Sequence, residues 1–92
     1  MQYRLLYHPL VKQNDLPKLN ATMKKRLKSA IEERLLREPE KYSVPLRKTL
    51  KKYRKLRVGD YRIVLRIEND RIFILGILHR KDVYELIVKR MD

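Results

Sequence analysis

Two closely spaced turns constrain the fold of this chain more than any other feature. Gly59-Asp60 and Asn69-Asp70 each separate runs of β-branched, aromatic and long apolar residues within the stretch 51–84. Glycine adopts the positive φ required at the first central position of a type II′ turn, and aspartate tolerates the second position. Both pairs therefore predict tight hairpins, which connect three consecutive antiparallel strands.

The turns also determine which residues lie opposite each other. Counting outward pairs Val58 with Tyr61, Arg57 with Arg62, Leu56 with Ile63, Lys55 with Val64, and Ile67 with Ile72. Side chains alternate between the two faces of a strand. The expected core face holds Leu56, Val58, Tyr61, Ile63, Leu65, Ile67, Ile72, Ile74, Gly76 and Leu78. The opposite face holds Tyr53, Lys55, Arg57, Arg62, Val64, Arg66, Phe73, Leu75, Ile77 and His79.

The cations on this opposite face indicate a binding site. Arg57 and Arg62 are expected to oppose each other directly, with Lys55 beside them. Like charges in that arrangement destabilise a sheet by about 0.2–1 kcal/mol per pair, and a bound anion would relieve the repulsion. The alternative, which the pattern leaves open, is that these long side chains simply extend into water, as most Lys and Arg side chains do.

Charge and composition narrow the classes of partner. A net charge of +13 in 92 residues implies a polyanionic partner, either nucleic acid or an acidic protein, with salt-sensitive binding. The length predicts one domain spanning 1–92. With no cysteine and two widely separated histidines, neither a disulfide nor a metal site nor a cofactor is expected. The absence of a long apolar run predicts a cytoplasmic protein without a membrane span.

The elements upstream of the hairpins follow from periodicity and from proline positions. A first strand is expected over 2–7, then a short helix over 11–16 that is broken near Pro17. Asn20 is a candidate N-cap for a longer helix over 21–37, which Pro39 ends. Residues 40–52 are expected to form a connecting loop with at most one helical turn.

A last helix is expected after the hairpins, with Asp82 as a candidate N-cap. Its narrow inward stripe comprises Val83, Leu86, Ile87 and Arg90. The whole order predicts an α+β fold: an N-terminal strand, two helices, an antiparallel twisted sheet with helices packed on one face, and a short C-terminal helix. The other face of the sheet would be concave and basic. The outer face of the long helix is expected to be an ordinary solvated surface, carrying Lys24, Lys25, Lys28, Glu32 and Glu33.

Two segments carry a resemblance to a known family. YRKLRVGDYRIVLRI (Tyr53 to Ile67) and ILHRKDVY (Ile77 to Tyr84) resemble the RelE/ParE toxin superfamily of bacterial and archaeal toxin-antitoxin systems. The order and length of the upstream helices extend this resemblance over essentially the whole chain. It implies a toxin that is neutralised by a cognate acidic antitoxin.

The resemblance also implies which residues are functional. Members of the ribosome-dependent RNase branch cleave messenger RNA in the ribosomal decoding site with sheet-face cations and with an arginine and a tyrosine near the C-terminus. The positions that match these are Lys55, Arg62, Arg80 and Tyr84. Arg57 matches a position that is commonly basic, and His79 lies where some relatives keep a further basic residue.

The chain departs from the family pattern at two positions. Tyr53 stands where the member with the best-described basic site has a lysine, and Val44 aligns with a carboxylate that another branch uses as a general base. Valine cannot accept a proton, so a mechanism based on a carboxylate and a histidine is not expected.

The chemistry of RNA cleavage suggests a role for each candidate residue. Cleavage through the 2′-hydroxyl needs a base, cations that stabilise the phosphorane, and an acid for the leaving 5′-oxygen. Lys55 is the candidate base, because repulsion by Arg57 and Arg62 would favour its neutral form. Arg62 and Arg80 are expected to bind the phosphate, and His79 or Arg80 is expected to lie near the leaving group. Tyr84 is expected to stack on a base. Further RNA contacts are expected from Arg57, Tyr53, Arg54 and Lys81.

Simpler interpretations stay open. His79 can instead pack at a strand end, and Tyr84 can instead be a core residue between helix and sheet. At the level of function, the first hypothesis is an RNase acting on messenger RNA at the ribosome. The alternative is a non-catalytic toxin of the same fold that poisons DNA gyrase, as in the ParE branch.

Overall fold

The structure is a computed structural model that describes residues 3–91. In chain order the elements are strand β1 (Arg4–Tyr7), a π-helical turn (Val11–Asp15), a 3-10 turn (Leu16–Lys18), helix α1 (Ala21–Ala30) with a π-helical continuation (Ile31–Leu35), helix α2 (Pro39–Tyr42), strand β2 (Val44–Pro45), a 3-10 turn (Lys48–Leu50), strands β3 (Arg54–Val58), β4 (Tyr61–Glu68) and β5 (Arg71–His79), and helix α3 (Val83–Arg90). The predicted α+β class is confirmed. None of the helices in this range is long and apolar enough to cross a membrane.

The five strands form one sheet in the order β1-β5-β4-β3-β2. The predicted first strand is present, although Gln2 lies outside the described residues. It runs parallel to β5, with Arg4 opposite Arg71 and Tyr7 opposite Ile74. Parallel neighbours need a long crossover connection, which the helices between β1 and β3 provide. The sheet is therefore mixed: the three strands predicted as antiparallel pair in that way, and β1, for which the sequence predicted no partner, adds a parallel neighbour.

Both hairpins form with the predicted pairing. Gly59 has a φ of +61°, and Val58 pairs with Tyr61 while Arg57 pairs with Arg62. In the second turn Asn69 adopts a φ of +56°, a conformation that asparagine tolerates better than most residues. The direct opposition of two arginines is thus a property of the structure.

The long helix begins as predicted and ends slightly early. The Asn20 side chain accepts a hydrogen bond from the backbone N–H of Met23 at 2.8 Å, which caps α1. Helical turns continue to Leu35 instead of residue 37. Pro39 then starts α2, because proline suits the first turn of a helix.

The segment predicted as a connecting loop also contributes a strand. Val44 and Pro45 form β2, which pairs with Lys55 and Arg54 of β3. Proline lacks the N–H that a central strand donates, so no strand is predicted from the residues at this position. The short β2 covers one end of β3 and leaves Arg57 and Val58 on an open edge.

A hydrophobic core fills each side of the sheet. On the first side, α1 and its continuation pack Leu27, Ile31 and Leu35 against the sheet. On the second side, α3 packs Val83 and Ile87 onto Val64, Leu75 and Leu78, together with Leu46, Leu50 and Tyr53 from the segment before β3. The second face is therefore not an open concave surface as predicted, because α3 and residues 46–53 cover much of it. Cations occupy the end near the Gly59 turn.

A β-bulge changes which residues of β5 face each core. Val64 pairs with Gly76 but Leu65 pairs with Ile74, so Leu75 is an extra residue on β5. A bulge of this kind reverses the alternation of side chains beyond it. The predicted faces are correct through Leu75 and wrong from Gly76 onward. Ile77 and His79 lie on the α1 side, while Gly76 and Leu78 lie on the α3 side.

Helix α3 presents the predicted inward stripe. Val83, Ile87 and Arg90 are buried and Leu86 is half-buried. Asp82 occupies the N-cap position, but its side chain makes no capping hydrogen bond. Its backbone carbonyl instead accepts from the N–H of Leu86 at 3.0 Å.

A buried ion pair, which the sequence did not predict, joins the two ends of the chain. Arg90 binds Asp15 through two hydrogen bonds, with Nη2 to Oδ1 at 2.7 Å and Nη1 to Oδ2 at 2.8 Å. Asp15 also accepts from the N–H of Ile77 at 2.9 Å, and Arg90 also donates to the carbonyl of Leu75 at 3.1 Å. β1 pairs with β5 only as far as Ile74, so on that side of β5 Asp15 takes the place of a strand and accepts from the Ile77 N–H.

Candidate active site

Three arginines converge where the β3–β4 turn meets the end of β5. Arg57 and Arg62 are cross-strand neighbours on the α3 side of the sheet, and Arg80 follows β5 directly. The Arg80 N–H donates to the Asp60 carbonyl at 2.8 Å, which fixes the end of β5 against the hairpin turn. The Asp60 carboxylate lies 3.9 Å from Arg80 Nε. That exposed ion pair contributes less than about 1 kcal/mol, so the backbone hydrogen bond is the main constraint.

Arg62 is the most constrained member of the cluster. Its Nη1 donates to the carbonyls of Gly59 and Tyr61, both at 3.0 Å, which holds the guanidinium over the turn. Partial burial lowers the pKa of Arg62, and the nearby charges of Arg57 and Arg80 lower it further, while Asp60 acts in the opposite direction. An arginine stays protonated nevertheless. Arg57 and Arg80 beside Arg62 concentrate positive charge here, where a bound phosphate would be favourable.

Lys55 lies on the same face as this cluster. It is two residues from Arg57 along β3, a spacing of about 6.6 Å, and it is half-buried. Its cross-strand neighbours are Val64 and Val44. Val44 is 54% exposed and lies directly opposite Lys55, so the side chain that faces Lys55 on β2 cannot act as a general base.

His79 does not share the face of Arg62, contrary to the prediction. Its ring packs edge-on against Tyr61, with centroids 5.6 Å apart, on the α1 side of the sheet. Nδ1 accepts from the N–H of Lys81 at 3.3 Å within the turn after β5. The ring also borders a separate cavity of about 300 Å³ beside Asp15. The geometry thus favours the alternative that His79 packs at a strand end.

Tyr84 is accessible. It lies on the first turn of α3 and is 37% exposed, whereas its neighbours in the stripe, Val83 and Ile87, are buried. The ring is therefore not a core residue and is free to contact a ligand. Lys81 is exposed in the turn that connects Arg80 to α3.

Two of the predicted RNA-binding residues have structural roles instead. Tyr53 is only 4% exposed and packs in the second core. The guanidinium of Arg54 is bound by the Ser43 hydroxyl at 2.8 Å, the Ser43 carbonyl at 2.8 Å and the Glu40 carbonyl at 3.1 Å. It therefore anchors α2 to β3. Because Tyr53 is enclosed by the second core and Arg54 is held by Ser43 and Glu40, we propose an RNA contact for neither.

An apolar groove lies on the α1 side of the sheet, away from the arginine cluster. It has a volume of about 530 Å³ and runs between α1 and the N-terminal segment, with Leu5, Val11, Leu27 and Ile31 among its lining residues. Lys12, Lys24, Lys28 and Glu32 also line it. Three cations against one carboxylate give this groove a positive rim. Among residues 3–91 there is no group of three or more His, Cys, Asp or Glu side chains placed to hold a metal ion.

Comparisons with known proteins agree with this architecture. A family model described as the ParE toxin of the type II toxin-antitoxin system parDE matches residues 2–84. The structure is similar to the RelBE2 toxin-antitoxin complex of Mycobacterium tuberculosis, with 28% identity over 87% of this chain and 100% of that one, and a TM-score of 0.78.

Two further solved structures are similar. The RelB-RelE complex of Methanococcus jannaschii gives 28% identity over 88% of this chain and 96% of that chain, with a TM-score of 0.68. A mutant of Escherichia coli RelE in the free state covers both chains fully at 24% identity and a TM-score of 0.76. No curated protein matches the chain in sequence. The family model and the shared fold together establish that the chain belongs to the RelE/ParE superfamily and is a toxin of a type II toxin-antitoxin system.

Proposed function

We propose that the protein is an endoribonuclease that cleaves messenger RNA at the ribosome and so inhibits translation. The observation that carries this proposal is the cation cluster of Arg57, Arg62 and Arg80, with Lys55 on the same face and Tyr84 exposed nearby in sequence. Such a cluster is costly without an anion, because its charges repel each other. A phosphodiester supplies that anion. The proposed site of action is the ribosome in the cytoplasm.

In the proposed reaction the 2′-hydroxyl of the message attacks the adjacent phosphorus. The O2′–P bond forms as the P–O5′ bond breaks, which gives a cyclic phosphate and a 5′-hydroxyl. Lys55 would accept the 2′-hydroxyl proton, and Arg62 and Arg80 would stabilise the charge that develops on the phosphorane. These roles match the geometry, because Arg62 is oriented by two carbonyls before any substrate arrives.

The leaving-group side of the site is assigned to Arg80. His79 was the other candidate, but its ring packs against Tyr61 on the far side of the sheet. Arg80 is exposed and adjacent to the turn, so it can stabilise the departing 5′-oxygen with a hydrogen bond while that oxygen takes its proton from water. Lys55 would later release the proton it has accepted to solvent. Tyr84 would stack on a splayed base, as aromatic side chains commonly do in single-stranded RNA recognition.

The second candidate function is poisoning of DNA gyrase. It is favoured by the matching family model, whose description is that of a ParE toxin. The oriented arginine cluster beside a lysine suits the charge that develops on a phosphorane, which supports the nuclease. In cells, a nuclease would produce cleaved messages, whereas a gyrase poison would produce trapped gyrase–DNA complexes.

Expression of the protein without its antitoxin is expected to arrest growth, with loss of messenger RNA from ribosomes as the first detectable change. The measurement is the level and the 5′ ends of ribosome-bound messages in the minutes after induction. The Arg62→Ala variant is the control, since it should bind the same partners while losing most cleavage. Intact messages together with trapped gyrase–DNA complexes would instead support the second candidate.

We also propose that the apolar groove beside α1 receives an amphipathic segment of an acidic antitoxin. The similar chains from M. tuberculosis and M. jannaschii were solved as toxin-antitoxin complexes. In this chain an apolar floor is bordered by Lys12, Lys24 and Lys28. That combination fits a helix whose apolar stripe faces the groove and whose carboxylates meet the lysines.

Reversing one charge at this rim is expected to weaken the complex. Lys28→Glu places a carboxylate against the acidic segment, and we expect a loss of about tenfold or more in affinity and a shallower dependence on salt. Lys89→Glu is the matched control, because Lys89 is an exposed helical lysine on the opposite side of the sheet. Binding titrations over a range of salt concentrations measure both. Equal effects of the two substitutions would show that the antitoxin does not use this groove.

A further inference from the structure

We infer that a second basic groove, between α1 and the β3–β4 hairpin, binds RNA backbone phosphates next to the arginine cluster. This inference rests on the proposed function and extends it, because it names a surface that holds RNA away from the reacting phosphodiester. The groove has a volume of about 380 Å³ and lies at the open edge of β3, beyond the end of β2.

The groove carries an excess of positive charge. Its lining includes Lys25, Arg26, Arg34 and Arg57, against the single carboxylate of Glu33. Within residues 3–91, none of these four cations lies within 4.0 Å of a carboxylate oxygen. Cations that share a groove without partners repel each other, and a polyanion that displaces its counterions on binding would offset that repulsion.

The groove is connected to the candidate active site through shared residues. Arg57 lines the groove and also opposes Arg62 across the hairpin. The guanidinium of Arg26 packs over the Gly59 turn, so that a Cβ at Gly59 would lie 3.2 Å from Arg26 Nη1. Helix α1 is thereby held close to the turn, and Arg57 connects the cations of the groove with Arg62.

The sequence did not indicate this surface. Helical periodicity predicts that Lys25 and Glu33 lie on the solvated face of a helix, as such residues usually do. The helix periodicity gave no sign that the β3–β4 turn packs beside that face. What distinguishes Lys25 and Arg34 from other helical cations is their position beside Arg57.

Two RNAs could supply the phosphates. One is the message itself, where it continues past the scissile bond, and the other is the ribosomal RNA around the decoding site. Both present the same ribose-phosphate backbone, and phosphate contacts position a protein without reading sequence. The groove is therefore expected to contribute affinity and orientation rather than codon preference.

The test uses the double variant Lys25→Ala/Arg34→Ala, which keeps the packing of Arg26 on Gly59. The matched control is Arg4→Ala/Arg71→Ala, which also removes two exposed cations that lie side by side, at the far end of the sheet. Binding is measured to a fluorescent single-stranded RNA oligonucleotide and, separately, to purified ribosomes. Thermal denaturation of each variant verifies that it is folded.

We expect the Lys25→Ala/Arg34→Ala variant to bind RNA about tenfold more weakly than the control variant, and to lower the salt slope by about 1.4 for a single strand. Weaker binding to the oligonucleotide would identify the message as the ligand. Weaker binding to ribosomes alone would identify ribosomal RNA. In the cleavage assay the loss should appear in the ribosome concentration needed for half-saturation.

Binding and cleavage are read separately, so the two proposals can fail independently. If the two double variants bind both RNAs equally, or if the unmodified protein binds neither, the groove is not an RNA site. If groove variants lose binding while the unmodified protein leaves every message intact, the groove stands and the nuclease proposal fails.

Discussion

Arg62→Ala and Arg80→Ala are each expected to slow messenger RNA cleavage at least about tenfold, because removing one donor to a developing oxyanion commonly costs a factor of about 10²–10³. Arg62 should show the larger loss, since its guanidinium is fixed by the carbonyls of Gly59 and Tyr61. Ribosome affinity should fall much less, because the other cations still supply long-range attraction. Single-turnover cleavage and ribosome binding are measured side by side.

Lys28→Ala is the control for this experiment. Lys28 is exposed on α1 and borders the apolar groove, away from the arginine cluster. Its removal should leave both cleavage and ribosome affinity nearly unchanged. If Lys28→Ala were as damaging as Arg62→Ala, the active surface would lie on the other side of the sheet.

Arg90→Ala and Asp15→Ala are each expected to destabilise the fold by about 3–5 kcal/mol, because each leaves the other charge buried without a partner. The two side chains are 3% and 1% exposed. Asp15→Ala also leaves the Ile77 N–H without this acceptor. Arg90→Ala likewise leaves the Leu75 carbonyl without this donor. The total stability of a small domain is about 5–15 kcal/mol, so each variant should lose a large share of it. Denaturant midpoints measure the loss.

The neighbouring residue on α3 provides a matched control. Lys89 forms an exposed pair with Glu85 at 3.5 Å, and Lys89→Ala should cost less than about 1 kcal/mol. The double variant Asp15→Ala/Arg90→Ala should cost clearly less than the sum of the single changes, because neither charge is then left alone. Additive losses, or an Arg90→Ala midpoint close to that of Lys89→Ala, would contradict the buried pair.

The parts of the fold with local signals were predictable from the sequence. Asn20 and the Gly59 turn act within a few residues, and both the helix cap and the hairpin pairing are as expected. The opposition of Arg57 and Arg62 follows from that turn alone. For this reason the residues around the hairpin turn are enough to predict the Arg57–Arg62 pair of the candidate site.

The errors arise where distant segments meet. The alternation of side chains between the two faces of β5 fails at the Leu75 bulge. The next residue, Gly76, lies beneath the Arg90 guanidinium, where a Cβ would be 2.8 Å from Arg90 Nη1. That single insertion moves His79 to the other face. The burial of Tyr53 and the binding of Arg54 by Ser43 likewise depend on packing that no local pattern encodes.

The decisive measurement for the proposed endoribonuclease activity is to add the purified protein to ribosomes that are translating a defined message and to map the 5′ ends produced. If the protein has this activity, we expect cuts confined to ribosome-occupied codons, with 5′-hydroxyl ends, and far fewer cuts with Arg62→Ala. Messages that stay intact on ribosomes, while the same protein traps purified gyrase on DNA, would contradict it.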